Sequence, residues 1–252
     1  TVTPIPSDHS AFDSYMFLIE GDGKRVLHTG DYRLHGPRRE KLMERLAACC
    51  KNVDMLITEG TTLSRTPSAP VTEQELQQKA KDYIDCYKYV FILAASTNLE
   101  RICGLSKATP RGKYFICDEY QSDLLSLMEQ EWGHYSELYR NIKKITYGDN
   151  LLDKLKDRGF VMMVRDNQKF RQIISKFDAT QSIMLYSMWD GYRSKPGSTI
   201  PDFLSLAGTW ETLHTSGHAS PDDIALLIEK TDPDHIIPIH TEQPDALKKY
   251  LR

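Results

Sequence analysis

The chain has 252 residues with a formal net charge of −3, and its 40% hydrophobic and 27% charged residues are typical of a globular protein. This composition excludes a disordered chain and a coiled coil, and no apolar run approaches the about 20 residues that a membrane-spanning helix needs. The five cysteines, an odd number without a C-x-x-C pair, favour a reducing compartment, so we expect a cytoplasmic protein without a membrane partner.

The first predicted structured element is a β-hairpin. Residues 1–10 have the pattern of a loop, and because the chain does not begin with Met, we expect that residue 1 is not the first residue of the natural protein. The runs 15–20 and 24–30 flank the turn G-D-G-K and predict the two strands of the hairpin. A helix is predicted over about 38–50, and an apolar strand over 53–60 precedes a Ser/Thr/Pro-rich stretch.

Strands and helices alternate through the middle of the chain. Val71-Thr72 followed by Glu75 resembles a capping box at the start of a long helix. Three apolar strands each precede a helical stretch: strand 89–95 precedes helix 98–107, strand 113–118 precedes helix 120–132, and strand 159–165 precedes helix 168–176. A further strand follows at 182–187. This alternation predicts a parallel, doubly wound sheet. A strand-like T-W-E-T-L-H-T run, a helix over 221–230 and a strand over 235–240 complete the chain.

Histidines and acids recur at the ends of the predicted strands. Asp31, Glu59 and His240 each end such a strand, and His218 follows another inside S-G-H-A-S. In open α/β architectures reactive groups gather at the carboxyl ends of strands, and imidazole and carboxylate are ligands that zinc accepts. A serine triad is disfavoured because no G-x-S-x-G elbow is present, and no P-loop motif occurs.

Four segments together resemble one known family. SDHSAFDSYMFLIEGDGKRVLHTGDYR resembles the third and fourth metal motifs of the metallo-β-lactamase superfamily, and LITEGTT resembles the acid motif of its β-CASP branch. TSGHAS and IIPIHTE resemble the two later histidine motifs of that branch, to which ribonuclease J-like enzymes belong. The motifs occur in the family's order and cover nearly the whole chain.

The resemblance implies roles for individual residues. It implies metal ligands at His9, Asp31 and His240, with Asp31 as a bridging carboxylate. It implies that His218 faces the scissile phosphate and that Glu59 hydrogen-bonds His218 and keeps it protonated. An opposite charge within ~4–6 Å raises a histidine pKa, which suits a general acid.

Further residues are candidates for substrate contacts. The stretch A-A-S-T-N-L-E-R-I looks like a segment of the β-CASP cap, so we expect Ser96, Asn98 and Arg101 to bind nucleic acid, although helix capping by Ser96 or Asn98 is an equally good interpretation. Ser216 is a further substrate-binding candidate. The segment S-M-W-D-G-Y-R-S offers aromatic and basic side chains suited to stacking on a base, or equally to core packing.

The family's H-x-H-x-D-H motif, which supplies half of the metal ligands, occurs nowhere in this sequence. We therefore expect the carboxy-terminal part of a longer enzyme, whose intact site holds two zinc ions, with zinc partial or absent in this chain. Because strands of the missing part would pair in the same sheet, we also expect an exposed sheet edge and apolar surface, and with them self-association into a homo-oligomer or poor solubility.

The expected fold is an incomplete metallo-β-lactamase-like αββα sandwich, 1–72 and 209–252, with an inserted doubly wound β-CASP-like cap, 73–208. The expected function is metal-dependent hydrolysis of phosphodiesters, with RNA as the substrate. Two alternatives remain at this point: a small-molecule metallohydrolase on the same fold, and a metal-free binding module if the chain is complete.

Overall fold

The computed structural model describes residues 1–65 and 71–250, and the side chains of all of these except 248–250. Two compact units divide the chain: the first is formed by Thr1–Glu73 with Ser216–Arg252, and the second by Gln74–Thr215. The predicted α/β class is confirmed, since each unit combines helices with a sheet that contains parallel strands. No helix in the described part of the chain is both long and apolar enough to cross a bilayer.

The strands in chain order are β1 (Val2–Pro6), β2 (Tyr15–Gly21), β3 (Lys24–His28), β4 (Met55–Glu59), β5 (Tyr89–Ala94), β6 (Tyr114–Cys117), β7 (Ile145–Thr146), β8 (Phe160–Val164), β9 (Ser182–Ser187), β10 (Trp210–Thr212) and β11 (His235–Ile239). The α-helices are α1 (Arg39–Cys49), α2 (Glu73–Cys86), α3 (Leu99–Ala108), α4 (Glu119–Trp132), α5 (Leu152–Arg158), α6 (Gln168–Ile174), α7 (Asp190–Ser194), α8 (Ile200–Ser205) and α9 (Pro221–Thr231).

The sheet of the first unit has the order β1-β2-β3-β4-β11, antiparallel from β1 to β3 and parallel from β3 to β11. The predicted hairpin is confirmed, and its turn residues Asp22 and Gly23 both have positive φ, at 50° and 72°. Two successive positive φ angles belong to the turn that matches the twist of paired strands, which is why Asp-Gly is favoured there.

The prediction of a loop over residues 1–10 is wrong for Val2–Pro6, which pairs with β2. Pro4 and Pro6 lack the N–H that a central strand needs, so they weaken the strand pattern in the sequence. An edge strand tolerates them because one of its sides has no partner, and β1 lies at the end of the sheet.

One face of this sheet packs against α1 and α9. The core there contains alternate residues of the strands and the apolar stripes of the two helices, including Met16, Leu18, Leu27, Leu56, Leu42, Leu46, Ile224 and Leu227. On β2 the intervening residues Tyr15, Phe17 and Ile19 are about 40% exposed, as is Ile237 on β11. The described residues of this unit form a single sheet, so the second sheet of an αββα sandwich stays a prediction, as does self-association.

The second unit contains a parallel sheet of order β10-β9-β5-β8-β6-β7. Its central strands β5, β8 and β9 are buried along their whole length, as continuous apolar runs in a parallel sheet should be. The predicted strands and the helices between them are confirmed. Sequence reasoning missed the short elements β7, α5 and α7, whose few residues carry too little periodicity to stand out.

Candidate metal and acid–base site

The side chains that the motifs single out converge at one edge of the sheet in the first unit. Asp31 follows β3, Glu59 is the last residue of β4, and His240 follows β11. Because these three strands are parallel neighbours, their carboxyl ends share an edge. His218 arrives from the loop before α9, and one ligand atom from each of these four side chains lies within 4.8 Å of the others.

Glu59 is fully buried and is held by several donors. Its Oε1 accepts hydrogen bonds from the backbone N–H groups of Tyr32, at 2.8 Å, and Ala219, at 3.4 Å. Its Oε2 accepts from the Thr61 hydroxyl at 2.7 Å and lies 3.0 Å from Nδ1 of His218. A buried carboxylate must be paired and hydrogen-bonded to persist, and these contacts satisfy both of its oxygens.

His218 is oriented by Glu59 and by its own loop. Its backbone N–H donates to Ser216 Oγ at 3.1 Å, and its Nδ1 faces Glu59. Burial lowers the pKa of His218, but the hydrogen bond and negative charge of Glu59 outweigh burial and hold that pKa above the usual histidine value. The ring can therefore keep a proton on Nδ1 while its Nε2 is available for other partners.

His240 and Asp31 form an exposed pair beside His218. Nδ1 of His240 lies 2.8 Å from Oδ1 of Asp31, and the His240 ring is 5.2 Å from that of His218. His240 has a φ of 48°, in the left-handed region that non-glycine residues seldom adopt. Such a conformation is kept where surrounding contacts enforce it, and here the His240 carbonyl oxygen lies 3.1 Å from the hydroxyl oxygen of Thr61.

His9 lies next to this group without belonging to it. Its ring centroid is 5.3 Å from that of His218, and its Nδ1 is 2.6 Å from the carbonyl oxygen of Gly217. Burial lowers the pKa of His9, so the neutral ring is favoured. Since Nδ1 donates to a carbonyl, the lone pair of the neutral ring is on Nε2, the arrangement typical of a metal-ligating histidine.

Buried charges next to the motif residues support these loops. Arg33 is fully buried, with Nε 2.7 Å from Oδ1 of Asp8 and Nη1 2.6 Å from Oε1 of Glu73. Asp8 precedes His9, and Arg33 lies two residues after Asp31, so the contact ties two motif loops together. Sequence reasoning missed this cluster, although the charges at positions 8 and 33 beside the motifs were a usable signal.

His35 is a second residue that sequence analysis gave no role. Its Nε2 lies 2.7 Å from the carbonyl oxygen of Ser216, and its Nδ1 is 3.6 Å from a carboxylate oxygen of Asp223. His35 therefore holds the start of the loop that carries His218. Ser216 is used in that loop through both its carbonyl and its hydroxyl, and its predicted contact with substrate stays a prediction.

The other predicted substrate-binding residues lie in the second unit. Asn98 and Arg101 are 4% and 1% exposed, and Arg101 donates to Ser187 Oγ and to the Thr215 carbonyl, both at 3.2 Å. Asn98 precedes α3 but its side chain makes no capping hydrogen bond. Ser96 Oγ accepts from Arg165 at 3.3 Å. Their contacts with nucleic acid stay predictions.

Comparison with known proteins agrees with the donor set. Residues 206–252 match the family model described as "Zn-dependent metallo-hydrolase RNA specificity domain", a stretch that includes His218 and His240. This match supports the resemblance to the metallo-β-lactamase superfamily and a zinc-dependent hydrolase. No protein with a curated description matches the sequence at a significant level.

A solved structure resembles nearly the whole chain. It is the "Crystal Structure of a Protein of Unknown Function from Enterococcus faecalis V583", with a TM-score of 0.74 and 23% sequence identity. The similarity covers 98% of this chain and 59% of that one, so the chain spans less than two thirds of the length of this similar structure. At this identity the likeness shows the fold alone.

Proposed function

We propose that this chain belongs to a zinc-dependent metallohydrolase of the β-CASP branch that cleaves phosphodiesters, with RNA as its substrate. The observation that carries the proposal is the convergence of Asp31, Glu59, His218 and His240 within 4.8 Å. Imidazole and carboxylate are ligands that zinc accepts, and a second carboxylate–imidazole pair beside them can serve proton transfer. The matched family model, with its stated RNA specificity, supports the substrate class.

In this proposal the four side chains divide into two pairs. Asp31 and His240 are the more exposed pair and would hold the metal, joined by His9 through its Nε2. The carboxylate oxygens of Glu59 already accept hydrogen bonds from buried donors. Glu59 would therefore orient and charge His218 rather than bind a metal. When bound there, zinc would supply a Lewis acid for the activation of water toward phosphorus.

The His218–Glu59 pair handles the proton in this scheme. Glu59 accepts the hydrogen bond from Nδ1 of His218 and stabilises the charged ring. The protonated ring presents Nε2–H to the leaving oxygen and gives it a proton as the bond to phosphorus breaks. The raised pKa of His218 supports this role, because the acid must still hold its proton near neutral pH.

The proposal also covers the organisation of the natural protein. The metallo-β-lactamase-like domain, 1–72 and 209–252, would form an αββα sandwich together with a further segment that carries H-x-H-x-D-H. The second ligand set on that segment would complete a site for two zinc ions in a cytoplasmic enzyme.

Substitutions at the two pairs should have different effects in the natural protein. Asp31→Ala should lose bound zinc and hydrolysis of an RNA substrate together, because it removes a ligand. His218→Ala should keep nearly all the zinc but lower the turnover of RNA about 10²–10⁴-fold, the usual contribution of a positioned acid. Elemental analysis and cleavage of labelled RNA measure the two effects.

The matched control is His235→Ala, because His235 begins β11, the strand that His240 follows, and so lies at its opposite end. It should change neither zinc content nor turnover. Equal loss of zinc in His218→Ala and Asp31→Ala would contradict the assigned roles and make His218 a ligand. A wild-type protein that holds zinc but cleaves no phosphodiester would contradict the proposed reaction.

A further inference from the structure

A group of exposed aromatic rings lies at the carboxyl end of β9 in the second unit. Trp189 and Tyr192 are 48% and 52% exposed, and their rings meet edge to face with centroids 5.4 Å apart. Trp210 at the start of β10 is 37% exposed. Rings of this size that stay half exposed are not part of the hydrophobic core. The buried core of this unit is built from other residues.

The Trp189 ring is positioned by its surroundings. A Cβ at Gly191 would lie 2.2 Å from the ring, so the indole covers the glycine backbone at a distance that no side chain would allow. The backbone carbonyl of Trp189 accepts hydrogen bonds from the Tyr186 hydroxyl at 2.7 Å and from the Tyr192 N–H at 3.1 Å. These hydrogen bonds fix the backbone from which the ring projects, and the close contact with Gly191 limits rotation of the ring, so little further entropy is lost on binding.

A cation completes the group. The guanidinium of Arg193 lies over the Trp210 ring, 4.7 Å from its centroid, and donates to the Asp190 carboxylate through Nε at 2.9 Å. Aromatic faces with an adjacent stacked arginine are the combination that proteins use to bind the unpaired bases of single strands. A surface that binds another protein through apolar contacts alone would not need a charged side chain among its aromatic rings.

The position in the fold favours a ligand. Open α/β sheets bind their ligands outside the carboxyl ends of the strands, and α7, which carries Tyr192, follows β9 at that edge. Trp210 lies within the residues that match the RNA specificity model.

We propose that Trp189 and Tyr192 form a stacking platform for an unpaired base of single-stranded RNA, with Arg193 beside it. The inference rests on the proposed function for its choice of RNA. Every base has a π-face, so the platform binds with little sequence preference. It does not bind double-stranded RNA in the same way, because paired bases are stacked on one another inside the helix.

The test measures binding of a fluorescein-labelled single-stranded RNA of mixed sequence to the full chain, by fluorescence anisotropy in EDTA, so that hydrolysis plays no part. Trp189→Ala should raise Kd about 5- to 100-fold, the loss expected for one stacked base. Trp189→Phe should restore most of the affinity. Gly191→Ala should weaken binding although all the aromatic rings remain, because the new Cβ displaces the indole.

The matched control is Tyr135→Ala. Tyr135 is 77% exposed and pairs edge-on with Trp132, but it follows the C-terminal end of α4, a helix that begins after β6 and so ends at the opposite edge of the sheet. Its loss should leave Kd unchanged. Circular dichroism shows whether each variant remains folded.

Unchanged affinity in folded Trp189→Ala, or equal binding of double-stranded RNA, would overturn the platform even if the protein cleaves RNA. The same holds if Trp189→Ala abolishes self-association in sedimentation and leaves RNA affinity intact, since the rings would then contact protein. RNA binding that needs Trp189, without any cleavage on addition of zinc, would support the platform and contradict the proposed reaction.

Discussion

At the scale of single residues, Glu59 determines the chemistry of the candidate site. Its carboxylate is fully buried, and it faces the His218 ring, whose pKa is held above the usual histidine value. Burial alone would favour the neutral ring of His218, so the charge of Glu59 decides the direction of the shift. The pair contributes stability below the unfolded-state pKa of His218 and loses it as pH rises through the folded-state pKa.

Glu59→Gln should therefore lower the pKa of His218, because burial then acts without the opposing charge of Glu59 and only the smaller effect of Asp31 still raises that pKa. An NMR titration of the His218 ring protons in the metal-free protein measures this. In the active protein the basic limb of the pH–rate profile should move to lower pH, since the acid loses its proton earlier.

Glu20→Gln is the control, because it removes an exposed acid of the same unit on β2. This substitution should leave the pKa of His218 unchanged. A His218 pKa that stays raised in Glu59→Gln would show that Glu59 is not its cause.

At the scale of elements, the N-terminus of α9 fixes the loop that carries His218. Ser220 and Asp223 form a reciprocal capping box, with both hydrogen bonds at 3.1 Å. Burial raises the pKa of Asp223, but the nearby His35 ring, 3.6 Å away, and the hydrogen bonds with Ser220 outweigh burial and lower that pKa below its usual value. Helix, cap and His35 therefore act as one support for residues 216–220.

Asp223→Ala should lower the free energy of unfolding by about 1 kcal/mol at pH 7, the usual net contribution of one hydrogen bond, because the Ser220 N–H loses its carboxylate acceptor. Because the folded-state pKa of Asp223 is lowered, its contribution is present above the unfolded pKa and is lost as pH falls through the folded pKa. The difference between variant and wild type should therefore shrink below about pH 4, where an unperturbed aspartate carboxyl titrates. Urea unfolding at several pH values measures this.

Asp222→Ala is the matched control, since Asp222 is exposed in the same helical turn and lies outside the capping box. It should cost only a few tenths of a kcal/mol through the helix dipole. Equal losses at the two positions would mean that the cap hydrogen bonds contribute nothing beyond negative charge.

At the scale of the whole molecule, the second unit is a continuous stretch of chain with its own core. Its buried cluster is built from β5, β6, β8 and β9 with the helices around them. The structure ends this unit at Thr215, whereas the sequence predicts its end at residue 208. The difference concerns β10, which pairs with β9, and Leu213, which is 1% exposed and donates its N–H to the Tyr186 carbonyl.

Residues 74–215 expressed alone should fold, and residues 74–208 should be less stable. Removing 209–215 deletes an edge strand and a buried leucine. The loss of the leucine side chain alone costs on the order of 2–5 kcal/mol of the free energy of unfolding. Circular dichroism melting should show a clearly lower Tm for the shorter piece.

A longer piece, 74–220, serves as the control. Its Tm should equal that of 74–215, because residues 216–220 belong to the first unit. Equal melting of 74–208 and 74–215 would instead favour the boundary at residue 208.

The sequence by itself determined the elements whose signals are local. Continuous apolar runs specify β5, β8 and β9, and the Asp-Gly turn specifies the hairpin of β2 and β3, because burial and positive φ restrict which residues can occupy those positions. The motif residues Asp31, Glu59, His218 and His240 were also identified from sequence, by their position at strand ends and by resemblance.

The tertiary structure decided what depends on partners distant in sequence. Glu59 and His218 are 159 residues apart, and His35 and Ser216 are 181 apart, so no local pattern records their contacts. Val2–Pro6 is a strand only because an edge position tolerates its prolines, and Arg33 is buried only because two acids meet it there. A hydrogen bond needs both a donor and an acceptor, and a buried ion pair needs two opposite charges. When the two partners are distant in sequence, only folding brings them together.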